Sequence, residues 1–218
     1  MDKKLFVANW KSNKTKDEAA TFFEYLKDNI ANYKLEFSEI IIAPPFTLLS
    51  YSKDFIDKNA LPVKLAAQNI SSFPPGAYTG EINAKQLKEF AEYVIIGHSE
   101  RRKYMHESEN DIENKVREAS EAGFIVIQCV QDENSIIYKG ANIIAYEPPT
   151  AIGSGNPDEP EHIGQVFNHI ISDNPEVKLL YGGSVSPENI KQFLPIKSIS
   201  GFLIGGASLE AESFLSLL

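Results

Sequence analysis

The sequence predicts an α/β fold: a closed (β/α)8 barrel, in one domain over residues 1–218. Three observations lead there. Eight short apolar runs recur along the chain, nearly all followed by a helical pattern. Several of these runs are continuously apolar, which is how a strand buried on both faces reads. No low-complexity linker interrupts the 218 residues, a length ample for one buried core. A doubly wound open sheet is the alternative. It calls for a glycine fingerprint after the first strand, and "ANWKSNK" has none.

Taken in order, the first strand is predicted over 5–8. A capping box, Thr15 with Glu18, opens a helix over 17–29 that buries Phe22, Phe23 and Leu26. The second strand, 40–43, leads to a helix to Lys58 that Thr47 can cap. The third, 63–67, is followed by a long segment and a helix over 84–91, opened by Asn83 with Gln86 three residues on. The fourth strand is 93–96, and Ser108 starts a helix to Ala122 that Gly123 stops. The fifth unit is short: strand 125–129, then room for a helical turn or two near 132–138. Strand six, 143–146, precedes a helix with Pro160 in its first turn, ending near Ser172. Strand seven, 179–181, precedes a helix over 187–192. Strand eight, 202–204, precedes a terminal stretch that Ser208 can cap.

Composition narrows the function. A net charge of −9 argues against a nucleic-acid surface, which needs a basic patch. It leaves room for a small anionic substrate held by a few donors in one cleft. No apolar run is long enough to span a membrane, and the N-terminus does not read as a signal peptide. The single cysteine, Cys129, excludes an internal disulfide and fits a reducing, cytoplasmic compartment. At a strand end it reads as packing. His162 and His169 could share a helix face, but no ligand triad accompanies them, so no metal site is expected.

In such a barrel the reacting groups sit at the C-terminal ends of the strands. The first end offers Asn9 and Lys11, the fourth His98, the sixth Glu147. The seventh offers Gly182-Gly183-Ser184 and the eighth Gly205-Gly206. Singly, each has an ordinary reading as a solvated lysine, a helix-start histidine, a capping carboxylate or a turn glycine. Together they place a base, an imidazole, a cation and an amide at one mouth. Two glycine-rich turns stand where this fold often binds phosphate on backbone N–H groups. The stretch "AYEPPTAIGSGNP" sets two prolines directly after the carboxylate and glycines beyond. It reads either as a moving loop with a stiff hinge, Pro148-Pro149-Thr150 starting a lid whose tip is 151–155, or as an ordinary connection.

These stretches resemble the triosephosphate isomerase family. The matching motifs are "ANWKSN", "GAYTGEI", "IIGHSERR", "AYEP" with "AIGSG", "LLYGGSV" and "GFLIGGASL", in order along nearly the whole chain. "GHSERR" and "YGGSV" are the most specific. The resemblance implies a TIM barrel that interconverts D-glyceraldehyde 3-phosphate and dihydroxyacetone phosphate through an enediolate, in glycolysis and gluconeogenesis, with no cofactor and no metal. It implies Glu147 as the base and His98 as the electrophile that polarises the carbonyl and moves protons between the oxygens. Asn9 and Lys11 would hold substrate and stabilise negative charge, with Glu100 pairing the lysine. The N–H groups of Gly153, Ser184, Gly205 and Gly206 would hold the phosphate. It further implies a homodimer, with a tetramer possible, in which the segment 69–82 interdigitates and Thr79 reaches toward the partner's site.

The chain departs from the family in places. Pro-Pro-Thr stands where a Pro-Val-Trp hinge is usual, and Asn156-Pro157-Asp158 where the far hinge is commonly Lys-Thr-Ala. Gln131-Asp132 replaces a usual Gly-Glu. His106 stands where a glycine usually precedes the carboxylate at Glu107. The short fifth unit is like that of abbreviated archaeal members. Two other readings remain. One is another phosphate-binding barrel, an epimerase or an aldolase, the latter needing a Schiff-base lysine. The other is a catalytically idle barrel used for binding, which should have lost part of the constellation.

Overall fold

The computed structural model describes residues 3–33, 35–151 and 155–218. The strands are β1 (Lys4–Asn9), β2 (Ser38–Ala43), β3 (Val63–Ala67), β4 (Tyr93–Ile96), β5 (Ile125–Val130), β6 (Ala141–Tyr146), β7 (Lys178–Tyr181) and β8 (Ile199–Ile204). They lie parallel in sequence order, and β8 pairs back onto β1 with Phe6 opposite Phe202. Closure leaves no sheet edge and excludes the open-sheet alternative. Several strands begin before their apolar runs, at Lys4, Ser38 and Lys178. Apolar character marks burial, whereas ladder pairing extends into the more polar N-terminal end of the barrel, opposite the mouth.

The two-residue period of the strands sorts the core into two layers. Leu5, Val7, Ile41, Tyr93, Ile95, Ile127, Cys129, Ile143, Ala145, Leu180 and Leu203 pack inside the barrel. The alternate residues, among them Phe6, Ile42, Ile144, Tyr146, Tyr181 and Phe202, face the helices. Each such side chain contributes about 1.5–3 kcal/mol when fully buried. Continuing the inward period reaches Asn9 at the end of β1 and, just past the ends of β6, β7 and β8, Glu147, Gly182 and Gly205. The periodicity that builds the core therefore also delivers the polar groups to the mouth.

The helices are α1 (Lys16–Asn29), α2 (Phe46–Lys58), α3 (Ala84–Leu87), α4 (Ser99–Tyr104), α5 (Glu109–Glu121), α6 (Pro160–Asp173) and α7 (Ala211–Leu215). The capping boxes at Thr15–Glu18 and Asn83–Gln86 form as expected, and Ser108 forms one with Asp111. Gly123 ends α5 at φ 77°, a conformation that suits glycine. Four expectations need correction. Thr47 lies inside α2, which begins after Pro45 with no side-chain cap. α3 stops at Leu87 and does not reach Ala91, because the Glu92 N–H is drawn to the Leu65 carbonyl at the entry to β4. The stretch 187–192 yields only a short 3-10 turn, Ile190–Gln192. Ser208 caps nothing: it is buried, and its hydroxyl donates to the Ile204 and Gly205 carbonyls. The sequence reading gives α4 no range, although His98 reads as a helix-start histidine and does precede it.

The fifth unit is shorter still than expected, with no helix between β5 and β6. Gln128, fully buried on the outer face of β5, takes the place of helix packing. Its Nε2 donates to the Ile136 carbonyl at 2.6 Å, and its Oε1 accepts the Tyr138 N–H at 3.0 Å. Both polar atoms of the amide are thus satisfied by the loop they anchor. Among the described residues, no helix is long and apolar enough to cross a membrane.

Candidate active site

Lys11 is held by its backbone as well as its charge. It adopts φ 54°, the left-handed region that non-glycine residues rarely enter. Its N–H donates to Asn9 Oδ1 at 3.0 Å, and its carbonyl accepts Gln68 Nε2 at 2.9 Å. The same Gln68 nitrogen reaches the Ala43 carbonyl at the end of β2. The Lys11 ammonium pairs with Glu100 Oε1 at 2.6 Å. A strained backbone held by three neighbours fixes where the cation points.

His98 ends the β4 connection and precedes α4. Its Nδ1 accepts the Glu100 N–H at 3.2 Å, which leaves Nε2 as the protonated nitrogen. Nε2 lies 2.9 Å from Glu147 Oε1, and Glu147 Oε2 accepts the Ser99 N–H at 3.1 Å. Glu147 is 2% exposed and His98 5%. Burial alone would push the Glu147 pKa up, but the His98 charge and hydrogen bond, with Ser99 N–H and Lys11, outweigh it and the carboxyl is lowered. Burial pulls the His98 pKa down, and the adjoining Glu147 overrides it, so the net shift is upward. That rise belongs to the arrangement in which the carboxylate rests on the imidazole.

The glycines at β7 and β8 are there for space. A side chain at Gly182 would press on the Glu147 methylene at 3.0 Å, and one at Gly205 on the Lys11 side chain at 3.1 Å. One at Gly183 would collide with the Tyr181 hydroxyl and with Ala151. Ser184 is again left-handed, at φ 54°, with its carbonyl held by Asn189 Nδ2 at 2.8 Å. Its hydroxyl donates to the Ala151 carbonyl. Among the described residues, the N–H groups of Ser184, Gly205 and Gly206 enter no turn, loop or cap hydrogen bond.

Asn9, Lys11, His98, Glu147, Ser184, Gly205 and Gly206 all line one cavity of about 300 Å³. Glu100 joins them through Lys11. Thr79 does not line it and lies exposed in the 69–82 segment. Gly153 lies outside the described residues, while Gly155 borders the cavity. A larger groove of about 730 Å³ runs between α1 and α7 but contains neither His98 nor Glu147. Cys129 packs beside Glu147, and burial and then that carboxylate hold its thiol well above its usual pKa. Among the described residues, no group of three or more His, Cys, Asp or Glu is placed to hold a metal ion. Gln68, Ser99 and Asn189 were not singled out from the sequence. They act through backbone groups, for which residue type gives almost no signal.

A family model described as triosephosphate isomerase matches residues 4–142 and 136–218. The match divides at the β5–β6 connection, where the helix is missing. Similar proteins include the triosephosphate isomerases of Mesomycoplasma hyorhinis, at 38% identity over 100% of this chain and 98% of that protein, and of Dictyoglomus turgidum, at 37% over 100% and 99%. That of Thermus thermophilus is 34% identical over 100% of this chain and 98% of its own. With the barrel closed and the strand-end residues gathered in one cavity, these matches over the full length show that the chain belongs to the triosephosphate isomerase family.

Proposed function

We propose that the protein interconverts D-glyceraldehyde 3-phosphate and dihydroxyacetone phosphate by proton transfer through an enediolate. The observation that carries this reading is the buried Glu147 carboxylate within 2.9 Å of the His98 Nε2, in a cavity shared with Lys11. Glu147 removes a proton from the carbon beside the carbonyl and returns it to the neighbouring carbon. Reaching that carbon requires the carboxylate to leave Ser99 and His98, and the bare Gly182 leaves it room to turn. The freed His98 Nε2–H faces the developing oxyanion and moves a proton between the two oxygens. Lys11 and Asn9 add charge and hydrogen bonding to the same oxygens. The unengaged N–H groups of Ser184, Gly205 and Gly206, joined by Gly153, hold the phosphate. No step needs a cofactor.

The same reading includes a homodimer, with a tetramer possible, and work in the cytoplasm. Residues 73–81 are exposed without a break, and Phe73 and Tyr78 stack at 4.4 Å on that surface. Such an ordered apolar projection fits insertion into a second copy. The aldolase alternative is disfavoured because the Lys11 ammonium is committed to Glu100 Oε1 at 2.6 Å, in a cavity it shares with Asn9, His98 and Glu147. Borohydride with substrate should leave the protein unmodified. A covalent adduct on Lys11 would favour the aldolase.

A further inference from the structure

After β7 the chain turns through Gly182-Gly183-Ser184 toward the short 3-10 turn Ile190–Gln192. Ser184 sits at φ 54°, in the left-handed region that a non-glycine residue keeps only when its surroundings hold it. The Asn189 side chain does part of that holding. Its Nδ2 donates to the Ser184 carbonyl at 2.8 Å, and its Oδ1 accepts the Ser186 N–H at 2.8 Å. These partners fix which way the amide faces, since a carbonyl can meet only its NH2 and an N–H only its oxygen. The Ser186 carbonyl in turn accepts the Asn189 N–H at 3.2 Å and the Ile190 N–H at 3.0 Å.

An asparagine just before a helical turn commonly caps it, accepting an N–H two or three residues further on. Asn189 stands at that position before Ile190–Gln192 and makes no such bond. Its side chain reaches backward instead, by three and five residues, into the turn that follows β7. The next residue, Ile190, is buried in the core, which anchors the backbone from which the amide reaches. Asn189 and Ser184 line the same cavity as Lys11 and Glu147. The Ser184 N–H is, among the described residues, outside every turn, loop and cap hydrogen bond.

We propose that Asn189 is a positioning residue for the substrate's phosphate, holding the Ser184 peptide so that its N–H faces the cavity before the anion arrives. This rests on the isomerase reading above. A donor stabilises an anion best when its direction is set in advance. With its carbonyl released, Ser184 can relax out of the left-handed region, and its N–H turns with the backbone.

The test compares wild type with Asn189→Ala. Turnover is measured on D-glyceraldehyde 3-phosphate and on D-glyceraldehyde, which lacks the phosphate and reads the rest of the site. The ratio of the two kcat/KM values should fall by about tenfold or more in the variant. Inorganic phosphate is then titrated into each protein while the amide resonances of Ser184, Gly205 and Gly206 are followed. At saturating phosphate the Ser184 response should fall by about half or more in Asn189→Ala, while Gly205 and Gly206 keep theirs. Should Asn189→Ala not fold, Asn189→Leu, which keeps the volume and removes both hydrogen bonds, takes its place. If neither folds, the side chain serves the fold and the inference fails. A wild type without isomerase activity overturns the functional reading and this inference with it. An active wild type whose Ser184 amide ignores phosphate overturns this inference alone. So does a variant that loses equally on both substrates or whose Ser184 response is unchanged.

Discussion

At the scale of single residues, Glu147 combines near-complete burial with an ionised carboxyl, held so by His98 Nε2 and the Ser99 N–H. Glu147→Asp should fold but lose at least ~10²-fold in kcat, since retracting the carboxylate by about 1 Å spoils its reach to the substrate carbon. A loss below about fivefold in a coupled assay would remove Glu147 as the base. The pair also predicts a pH signature. His98 is raised from 6.5, so its contribution to stability is present below that value and is lost as pH rises through the folded value. Glu147 is lowered from 4.5, so its contribution is present above that value and is lost as pH falls through the folded one. The two overlap between 4.5 and 6.5. The difference in melting temperature between wild type and Glu147→Gln should be largest in that window and shrink toward pH 9. A pH-independent difference would contradict the pairing. Asn9, Lys11, His98 and Glu147 were legible because their chemistry follows from residue type at a strand end. Gln68, Ser99 and Asn189 were not, because what matters is which groups they meet across the fold.

At the scale of elements, strands read well from sequence because burial on both faces leaves a continuous apolar run. Short connections read poorly. The sequence allows a turn of helix after β5, and a buried amide stands there in its place. Gln128→Ala leaves the Ile136 carbonyl and the Tyr138 N–H without their partner and should cost about 2 kcal/mol or more. A urea midpoint within error of wild type would show that the loop holds by other contacts. At the lid root, Pro148 is buried, and its carbonyl accepts the Ala151 N–H at 2.9 Å, while Pro149 is exposed. Fixing φ at both prolines leaves the first hinge fewer accessible states. Pro149→Gly should therefore keep the fold, lower kcat and raise the fraction of methylglyoxal, the product of phosphate loss from an enediolate that escapes, as more hinge states compete with the productive one. Wild-type values for both would mean that the prolines only pack.

At the scale of the whole molecule, the barrel supplies one rigid rim on which eight strand ends meet. The projection at 69–82 is stabilised at its root, where Asn69 Oδ1 accepts Lys115 Nζ at 2.9 Å and the buried Lys115 also pairs with Glu107. His106 beside it sits at φ 54°, in the conformation that suits the glycine usual there in the family. A rooted, apolar projection predicts assembly. Light scattering should give at least twice the chain mass of 24.3 kDa, and Phe73→Glu with Tyr78→Glu should reduce it to one. A fully active wild-type monomer at micromolar concentration would reject the dimer. Closure of the barrel was legible from repeated βα units, whereas assembly remains a proposal that rests on the resemblance and the exposed projection, since an exposed loop names no partner by itself. The central claim is the reaction. The most direct measurement incubates the purified protein with dihydroxyacetone phosphate and follows glyceraldehyde 3-phosphate through a coupled dehydrogenase, with chelator present. The account predicts rapid isomerisation that the chelator leaves unchanged, and no detectable turnover in either direction would contradict it.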